Sequence, residues 1–344
     1  MFICSLIELL FYGILRSIGE IALNSITLST IFFFLMHFRD RTFVCCVNIS
    51  LVRVLLLRYS ESHGAKEGDD MKKVMIGTSW KMNKTRQEAI DYCTVLSKQL
   101  NPAAGAFTQP FVIPPFTLIR EVTEYLSAHK VNCLTGAQNM HYADNGAWTG
   151  EVSPMMVSDC GATLVELGHS ERRQYFAEND ADIQKKVQAA LRYQLRPLVC
   201  VGDSAQEKAW GVSRETVIRQ MKIALAGLNA EQATRVIIAY EPIWAIGEGG
   251  TPASAQEAQD IHVALRQALV ALYGERTASC ITLLYGGSVN PHNTCELIQC
   301  ADIDGLFIGR AAWNADDFCQ LVRSVSALLN EQGEHVALSE AKMS

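Results

Sequence analysis

From Val74 onward the chain repeats one pattern: a short apolar run, a break carrying Gly or Pro, then a segment of helical periodicity. The apolar runs are Val74–Ser79, 111–113, Leu134–Ala137, Leu164–Leu167, 198–201, 236–239, 282–284 and 306–308. Runs this short and this uniformly apolar read as parallel strands covered on both faces. Helical spacing falls between or after them, at 85–99, 181–193, 214–226, 254–273 and 315–329. Eight strands alternating with helices over about 250 residues have the count and size of a closed β/α barrel, an α/β fold. An open doubly wound sheet is the rival. It usually shows a Gly-rich dinucleotide turn after its first strand, and Gly77-Thr78-Ser79-Trp80 does not supply GxGxxG.

In a barrel, chemistry belongs on the loops that follow the strands, so those loops are where candidate residues are sought. Glu241 emerges from the sixth strand into a loop that starts at Pro242 and ends in Gly247-Glu248-Gly249-Gly250. Pro242 stiffens the first hinge, the glycines free the second, and Ile243, Trp244 and Ile246 give the segment an apolar body, which is the anatomy of a lid with a base at its root. A carboxylate that merely caps a helix beside a passive loop is the alternative. Lys81, just past the first strand, could meet a phosphate or a developing negative charge, or could be a solvated surface lysine. His169 stands at a helix start, where the dipole and unpaired N–H groups disfavour imidazolium and keep the ring a neutral hydrogen-bond donor. The plain alternative there is a capping segment in which Ser170, Glu171 and Arg172 complete ion pairs. Tyr285-Gly286-Gly287-Ser288 and Ile308-Gly309-Arg310 put glycines at the last two strand ends, the usual phosphate grip of a barrel, and together they point to a phosphorylated ligand. The loop Gly146-Ala147-Trp148-Thr149-Gly150-Glu151 is long and apolar for a connector, so its Trp is expected in a partner subunit or folded back locally.

Charge and cysteine content narrow the class further. A formal net charge of -6, with no basic run carrying interleaved aromatics after Lys73, excludes a nucleic-acid surface. The 11 cysteines are odd in number and show no CxxC or Cys/His spacing, which points to free thiols in a reducing, cytoplasmic compartment and away from structural zinc.

Residues 1–70 differ from everything after them. Phe2 to Met36 is largely apolar, but the uncharged stretch 21–36 is shorter than the roughly 20 residues of a bilayer span, and Glu8, Arg16 and Glu20 interrupt what precedes it. No small-residue cleavage site follows cleanly. A poor membrane anchor, a disordered or loosely helical extension and upstream sequence ahead of a start at Met71 remain. The residues favour the last, because Met71-Lys72-Lys73 directly precedes the first strand and Glu67-Gly68-Asp69-Asp70 reads as a loop. The expected organisation is therefore an apolar extension unrelated to the barrel over 1–70, a barrel over 71–335 and a tail over 336–344. No membrane contact is expected unless the extension is real and inserts.

Six motifs in order carry a family resemblance: Trp80-Lys81-Met82-Asn83, Gly136-Ala137-Gln138-Asn139, Trp148-Thr149-Gly150-Glu151, Glu166-Leu167-Gly168-His169-Ser170-Glu171-Arg172-Arg173, Tyr240-Glu241-Pro242-Ile243-Trp244-Ala245-Ile246-Gly247 and Tyr285-Gly286-Gly287-Ser288-Val289. Over Lys73 to about Leu329 the chain resembles triosephosphate isomerase. The resemblance implies a homodimeric TIM barrel that moves a proton between adjacent carbons of a small sugar phosphate through an enediolate, with no metal and no organic cofactor. It implies Glu241 as the base and His169 as the neutral electrophile, a pairing for which triosephosphate isomerase is itself the standard example. It further implies Lys81 as the cation steadying substrate and enediolate charge and Glu171 as a residue orienting the site near Lys81. Gly247, Ser288 and Gly309 would be phosphate donors, Thr149 would reach into the neighbouring site, and the lid would close over the intermediate.

Three departures from the usual triose enzyme fall near the substrate. The Asn normally found before Trp80 is Ser79, which leaves space for about one or two heavy atoms. The second lid hinge, commonly Thr-Gly-Lys, is Glu248-Gly249-Gly250, and the second Gly of the phosphate grip is Arg310, which would either contact the anion or reshape the backbone. The segments 77–85 and 309–314 look closer to the L-erythrulose-1-phosphate isomerases of erythritol catabolism, whose substrate is one CHOH longer. The ordinary triose reaction of glycolysis and gluconeogenesis is the alternative, since one CHOH shifts selectivity by only a few kcal/mol. A silent sugar-phosphate-binding barrel is the alternative of another class, disfavoured because a binding module needs no base.

Overall fold

The computed structural model describes residues 34–38, 41–45, 72–100, 107–246 and 252–341, with side chains described between Lys72 and Glu331 of those segments. Met1–Asp69 and Asp70–Ser344 are separate compact units. In the first, Phe34–Phe38 and Arg41–Cys45 pair antiparallel, with Phe34 opposite Cys45 and Phe38 opposite Arg41. The rest of the extension, and the choice between anchor, loose helix and early start, lies outside the described residues. No helix among the described residues is long and apolar enough to cross a membrane.

The second unit is a closed barrel of eight parallel strands. They are β1 (Val74–Ser79), β2 (Thr108–Ile113), β3 (Leu134–Ala137), β4 (Leu164–Leu167), β5 (Arg196–Val201), β6 (Ile237–Tyr240), β7 (Thr282–Tyr285) and β8 (Gly305–Ile308). Each pairs with its neighbour in sequence, and β8 closes on β1 with Gly305 opposite Met75 and Ile308 opposite Thr78. The strands reach past their apolar runs where a polar residue begins them. Thr108 and Gln109 extend β2 to pair with Val74 and Met75, and Arg196 extends β5 to pair with Leu164.

Among the helices outside the barrel, α1 (Arg86–Gln99), α2 (Ile119–Ala128), α3 (Pro154–Asp159), α4 (Ser170–Tyr175), α5 (Asp180–Arg192) and α6 (Ala205–Ala209) cover its first half. The second half carries α7 (Ser213–Ala224), α8 (Ala230–Thr234), α9 (Ala255–Tyr273), α10 (Glu275–Cys280), α11 (Thr294–Ile298) and α12 (Ala315–Ala341). Helix α9 shows why the boundaries are sharp: Ser254 Oγ accepts the Glu257 N–H, and the Glu257 carboxylate accepts the Ser254 N–H at 2.9 Å. Helix α2 was not singled out by pattern, although Ile119, Val122 and Leu126 give it a buried stripe. Helix α12 continues past residue 335 to Ala341, into the segment read as a tail.

Two apolar layers follow from the period of two along each strand. Met75, Phe111, Ile113, Leu164, Leu198, Cys200, Ile237, Ala239, Leu284 and Phe307 fill the barrel interior, where the Phe111 and Phe307 rings stack with centroids 5.8 Å apart. Ile76, Val112, Val165, Leu167, Val199 and Ile238 point outward to the helices. The same parity turns Ser79, Glu166, Cys200 and Glu241 inward at the carboxyl-terminal mouth. At the opposite end Arg266 donates to the carbonyls of Ala278 and Ile281 and, at 2.6 Å, to Asp304, whose carboxylate also accepts the Leu283 N–H. That network ties α9 and α10 to the starts of β7 and β8.

Candidate active site

Past β4, Gly168 turns with φ +72, a conformation that L side chains rarely adopt, and the chain enters α4 with His169 as its N-cap. The His169 Nδ1 accepts the Glu171 backbone N–H at 3.1 Å, so a neutral ring carries its proton on Nε2. Nε2 faces the mouth, 3.3 Å from Glu241 Oε1 and 3.9 Å from Glu166 Oε1. His169 is buried, 7% exposed.

Glu241 follows β6, is 2% exposed, and accepts the Ser170 backbone N–H at Oε2, 3.2 Å away. The first N–H of α4 thus holds the Glu241 carboxylate against the His169 ring. Gly286 makes room for it, since a Cβ there would lie 3.0 Å from Glu241 Cγ. The loop leaving Glu241 is anchored by Asp203, whose carboxylate accepts from the Tyr240 hydroxyl at 2.9 Å, the Trp244 indole at 3.1 Å and the Ser213 hydroxyl at 2.6 Å. Lys208 Nζ lies over the Trp244 ring, 3.2 Å from its centroid. Gly247 and the second hinge Glu248-Gly249-Gly250 lie outside the described residues.

Lys81 has φ 53, an uncommon backbone state for a lysine and one found where a site over-determines the chain. Its carbonyl accepts from Gln138 at 2.8 Å, and its Nζ is 2.5 Å from Glu171 Oε1. The ion pair gives the ammonium a defined carboxylate partner. Ser79, the last residue of β1, donates its hydroxyl to Glu166 Oε2 at 2.9 Å, while its carbonyl accepts the Trp313 indole N–H at 3.0 Å. Ser288 lies half-buried past β7 and its carbonyl accepts from Asn293 at 2.9 Å. Gly309 follows β8, and Arg310 begins a 3₁₀ turn, Arg310–Ala312, with its side chain exposed. Thr149 is exposed on the loop after β3, next to Trp148, which is 48% exposed and packs one face on His141 with ring centroids 4.3 Å apart.

Three residues of this mouth were not singled out from sequence: Glu166, Cys200 and Asp203. Glu166 had a signal, a lone carboxyl inside the apolar run Leu164–Leu167 at an inward position. Burial pushes it up to about 7, with Glu241 adding to the rise and His169 and the Ser79 hydroxyl opposing it. Cys200, Glu166 and Glu241 offer donor atoms within 4.8 Å of one another, a spacing a metal ion can use. Burial and the two carboxylates hold the Cys200 thiol well above its usual range, so it is a neutral thiol rather than a thiolate ligand. The described cysteines, including the buried Cys93, Cys200 and Cys319, are free.

An imidazole whose Nε2 faces a buried carboxylate, beside an ion-paired ammonium, can shift a proton between carbons next to a carbonyl. Comparison with known proteins agrees with that chemistry. The model of the triosephosphate isomerase family matches residues 74–325. An L-erythrulose-1-phosphate isomerase of Mesorhizobium japonicum is 47% identical over 256 residues, 74% of this chain and 98% of that protein. A triosephosphate isomerase of Acetivibrio thermocellus is 44% identical over 252 residues, 73% of this chain and 98% of that protein. The crystal structure of a triosephosphate isomerase from Bartonella henselae superposes with a TM-score of 0.64 at 33% identity, covering 72% of this chain and 97% of that one. The chain belongs to the triosephosphate isomerase family, a family of sugar-phosphate isomerases.

Proposed function

We propose that the enzyme converts L-erythrulose 1-phosphate to D-erythrulose 4-phosphate. The observation that carries the reaction is the 3.3 Å approach of His169 Nε2 to Glu241 Oε1 beside the fixed Lys81. In the substrate the carbonyl is at C2, and C3 bears a hydrogen, a hydroxyl and a CH2OH group. Glu241 takes the C3 proton; the released electron pair forms the C2–C3 double bond, and the carbonyl pair moves to the C2 oxygen. His169 donates to that oxygen through Nε2–H, and the Lys81 ammonium offsets its charge. The Nε2 proton passes to the C2 oxygen and the C3 hydroxyl proton replaces it on Nε2; Glu241 then returns its proton to C2 with the electron pair of the C2–C3 double bond, while an electron pair on the C3 oxygen forms the new carbonyl. Numbered from the other end, the product is D-erythrulose 4-phosphate. No atom leaves, and the scheme needs neither metal nor organic cofactor.

Glu171 orients Lys81 in this scheme. Backbone N–H groups at Gly247, Ser288 and Gly309 bind the phosphate, and Arg310 at the same rim adds positive charge to the grip. Thr149 reaches the site of a second copy in a homodimer. That assignment is supported by the exposure of Trp148 and of Met82, which is 96% exposed. Free thiols suit a reducing compartment, and we assign the enzyme to the cytoplasm on that ground.

The four-carbon substrate rests on Ser79, whose short side chain stands where the triose enzymes carry Asn, and on the relatives' names. A second reading, interconversion of dihydroxyacetone phosphate and glyceraldehyde 3-phosphate, is favoured by the Acetivibrio relative, whose identity is nearly as high. The deciding experiment is kcat/KM on L-erythrulose 1-phosphate and dihydroxyacetone phosphate side by side. A tenfold preference for the four-carbon ketose is expected, and a tenfold preference the other way overturns the substrate assignment while leaving the reaction type intact.

A further inference from the structure

We infer that Glu166 and Ser79 form a specificity-determining pair that binds the terminal hydroxyl of the four-carbon substrate. This rests on the four-carbon reading above. Glu166 is 2% exposed in a strand whose other residues are Leu164, Val165 and Leu167. A carboxyl in that setting is unfavourable by several kcal/mol unless its oxygens find partners. Other buried carboxylates of the barrel have them: Glu178 meets Lys186 and Arg172, Asp302 meets Arg266 and accepts from Gln259, and Asp203 collects three neutral donors.

Glu166 is served differently. Ser79 donates to Oε2 at 2.9 Å, while Oε1 lies 3.9 Å from His169 Nε2, beyond hydrogen-bonding range. A carboxylate accepts at roughly four positions, so this one keeps acceptor capacity on the side facing the mouth. That side is where the reacting carbon must sit, because Glu241 has to reach its proton and His169 the neighbouring oxygen. In L-erythrulose 1-phosphate the reacting carbon carries CH2OH, whose hydroxyl is two bonds away. In dihydroxyacetone phosphate it carries a second hydrogen instead. The pair therefore meets a chemical group present in one substrate and missing from the other. Ser79 holds the carboxyl in position, and its own small side chain leaves the hydroxymethyl group its space. Because burial holds Glu166 near neutrality, the carboxyl can accept from the hydroxyl when ionised or donate to it when protonated.

Neither residue is required for proton transfer itself, which makes the pair testable by substrate comparison. Full-length wild type, Glu166→Val, Glu166→Gln and Ser79→Ala are assayed for kcat and KM on both ketose phosphates. Loss of a charge-assisted hydrogen bond is expected to lower kcat/KM on L-erythrulose 1-phosphate by about 10- to 100-fold more than on dihydroxyacetone phosphate in Glu166→Val. Glu166→Gln and Ser79→Ala should shift in the same direction by less. If Glu166→Val does not fold, those two variants decide. Equal fractional losses on both substrates, in a wild type that turns over the four-carbon ketose, overturn the pair alone and reduce Glu166 to a prop for His169. A wild type that prefers dihydroxyacetone phosphate tenfold overturns the substrate reading and the pair with it.

Discussion

Replacing Glu166 by Gln should make the protein more stable above neutral pH, by an amount the burial of this carboxyl sets. The side chain keeps its shape, and its amide can still meet the Ser79 hydroxyl. In the folded barrel the carboxyl is raised from 4.5 to about 7, chiefly by desolvation. Below 4.5 it is neutral in both folded and unfolded chains. Between 4.5 and about 7 the unfolded chain has released the proton while the barrel retains it, so wild-type stability falls as pH rises. Above that window the carboxyl is charged in both states and the loss is complete, on the order of 3 kcal/mol at 1.36 kcal/mol per pH unit. Gln does not titrate and escapes the loss. Urea unfolding of wild type and Glu166→Gln at pH 5 and pH 8, at one protein concentration, should show the stability difference move by about 2.5 kcal/mol in favour of the variant. In thermal unfolding the same change is about 5–10 °C in the Tm difference. A difference that stays constant between the two pH values refutes the argument, because it means Glu166 ionises in the barrel as it does in water.

Glu241→Gln and Glu241→Asp should lower kcat by about 10²- to 10⁴-fold while leaving the Kd of an unreactive phosphorylated ligand within a fewfold, measured by calorimetry; equal loss of both readouts would sink the role of base. Gly286→Ala places a Cβ 3.0 Å from Glu241 Cγ, so kcat should fall by about tenfold or more with little change in Tm. Asp203→Ala removes the acceptor shared by Tyr240, Trp244 and Ser213 and should destabilise the fold by about 1–3 kcal/mol, read by urea denaturation. Asp304→Ala leaves the Arg266 guanidinium half-stripped of its partners in a largely buried setting, and a loss of about 3–5 kcal/mol is expected. A change below 1 kcal/mol would mean that Asp302 alone suffices for Arg266.

Much of the barrel was legible because its strands are short apolar runs and its helices carry their own periodicity, both properties of neighbouring residues. Val74–Ser79, Leu134–Ala137 and Leu164–Leu167 match their strands at both ends. Where polar residues open a strand, as Thr108 and Arg196 do, the pattern started late, because pairing with the next strand and not local apolarity fixes the end. Lys81, His169, Glu171 and Glu241 were singled out by their places after strands and by family motif. Their proximity came only from the resemblance and not from spacing, since Lys81 and Glu171 meet across 90 positions of sequence. The sequence by itself determined the alternation, the number of strands and the loops on which chemistry would sit. Only the closed barrel decided that Ser79 and Glu166, 87 positions apart, share a hydrogen bond, and that Asp203 anchors the loop from Glu241. The physical reason is that strand parity chooses which side chains face the axis, whereas barrel closure and register choose which of them meet there.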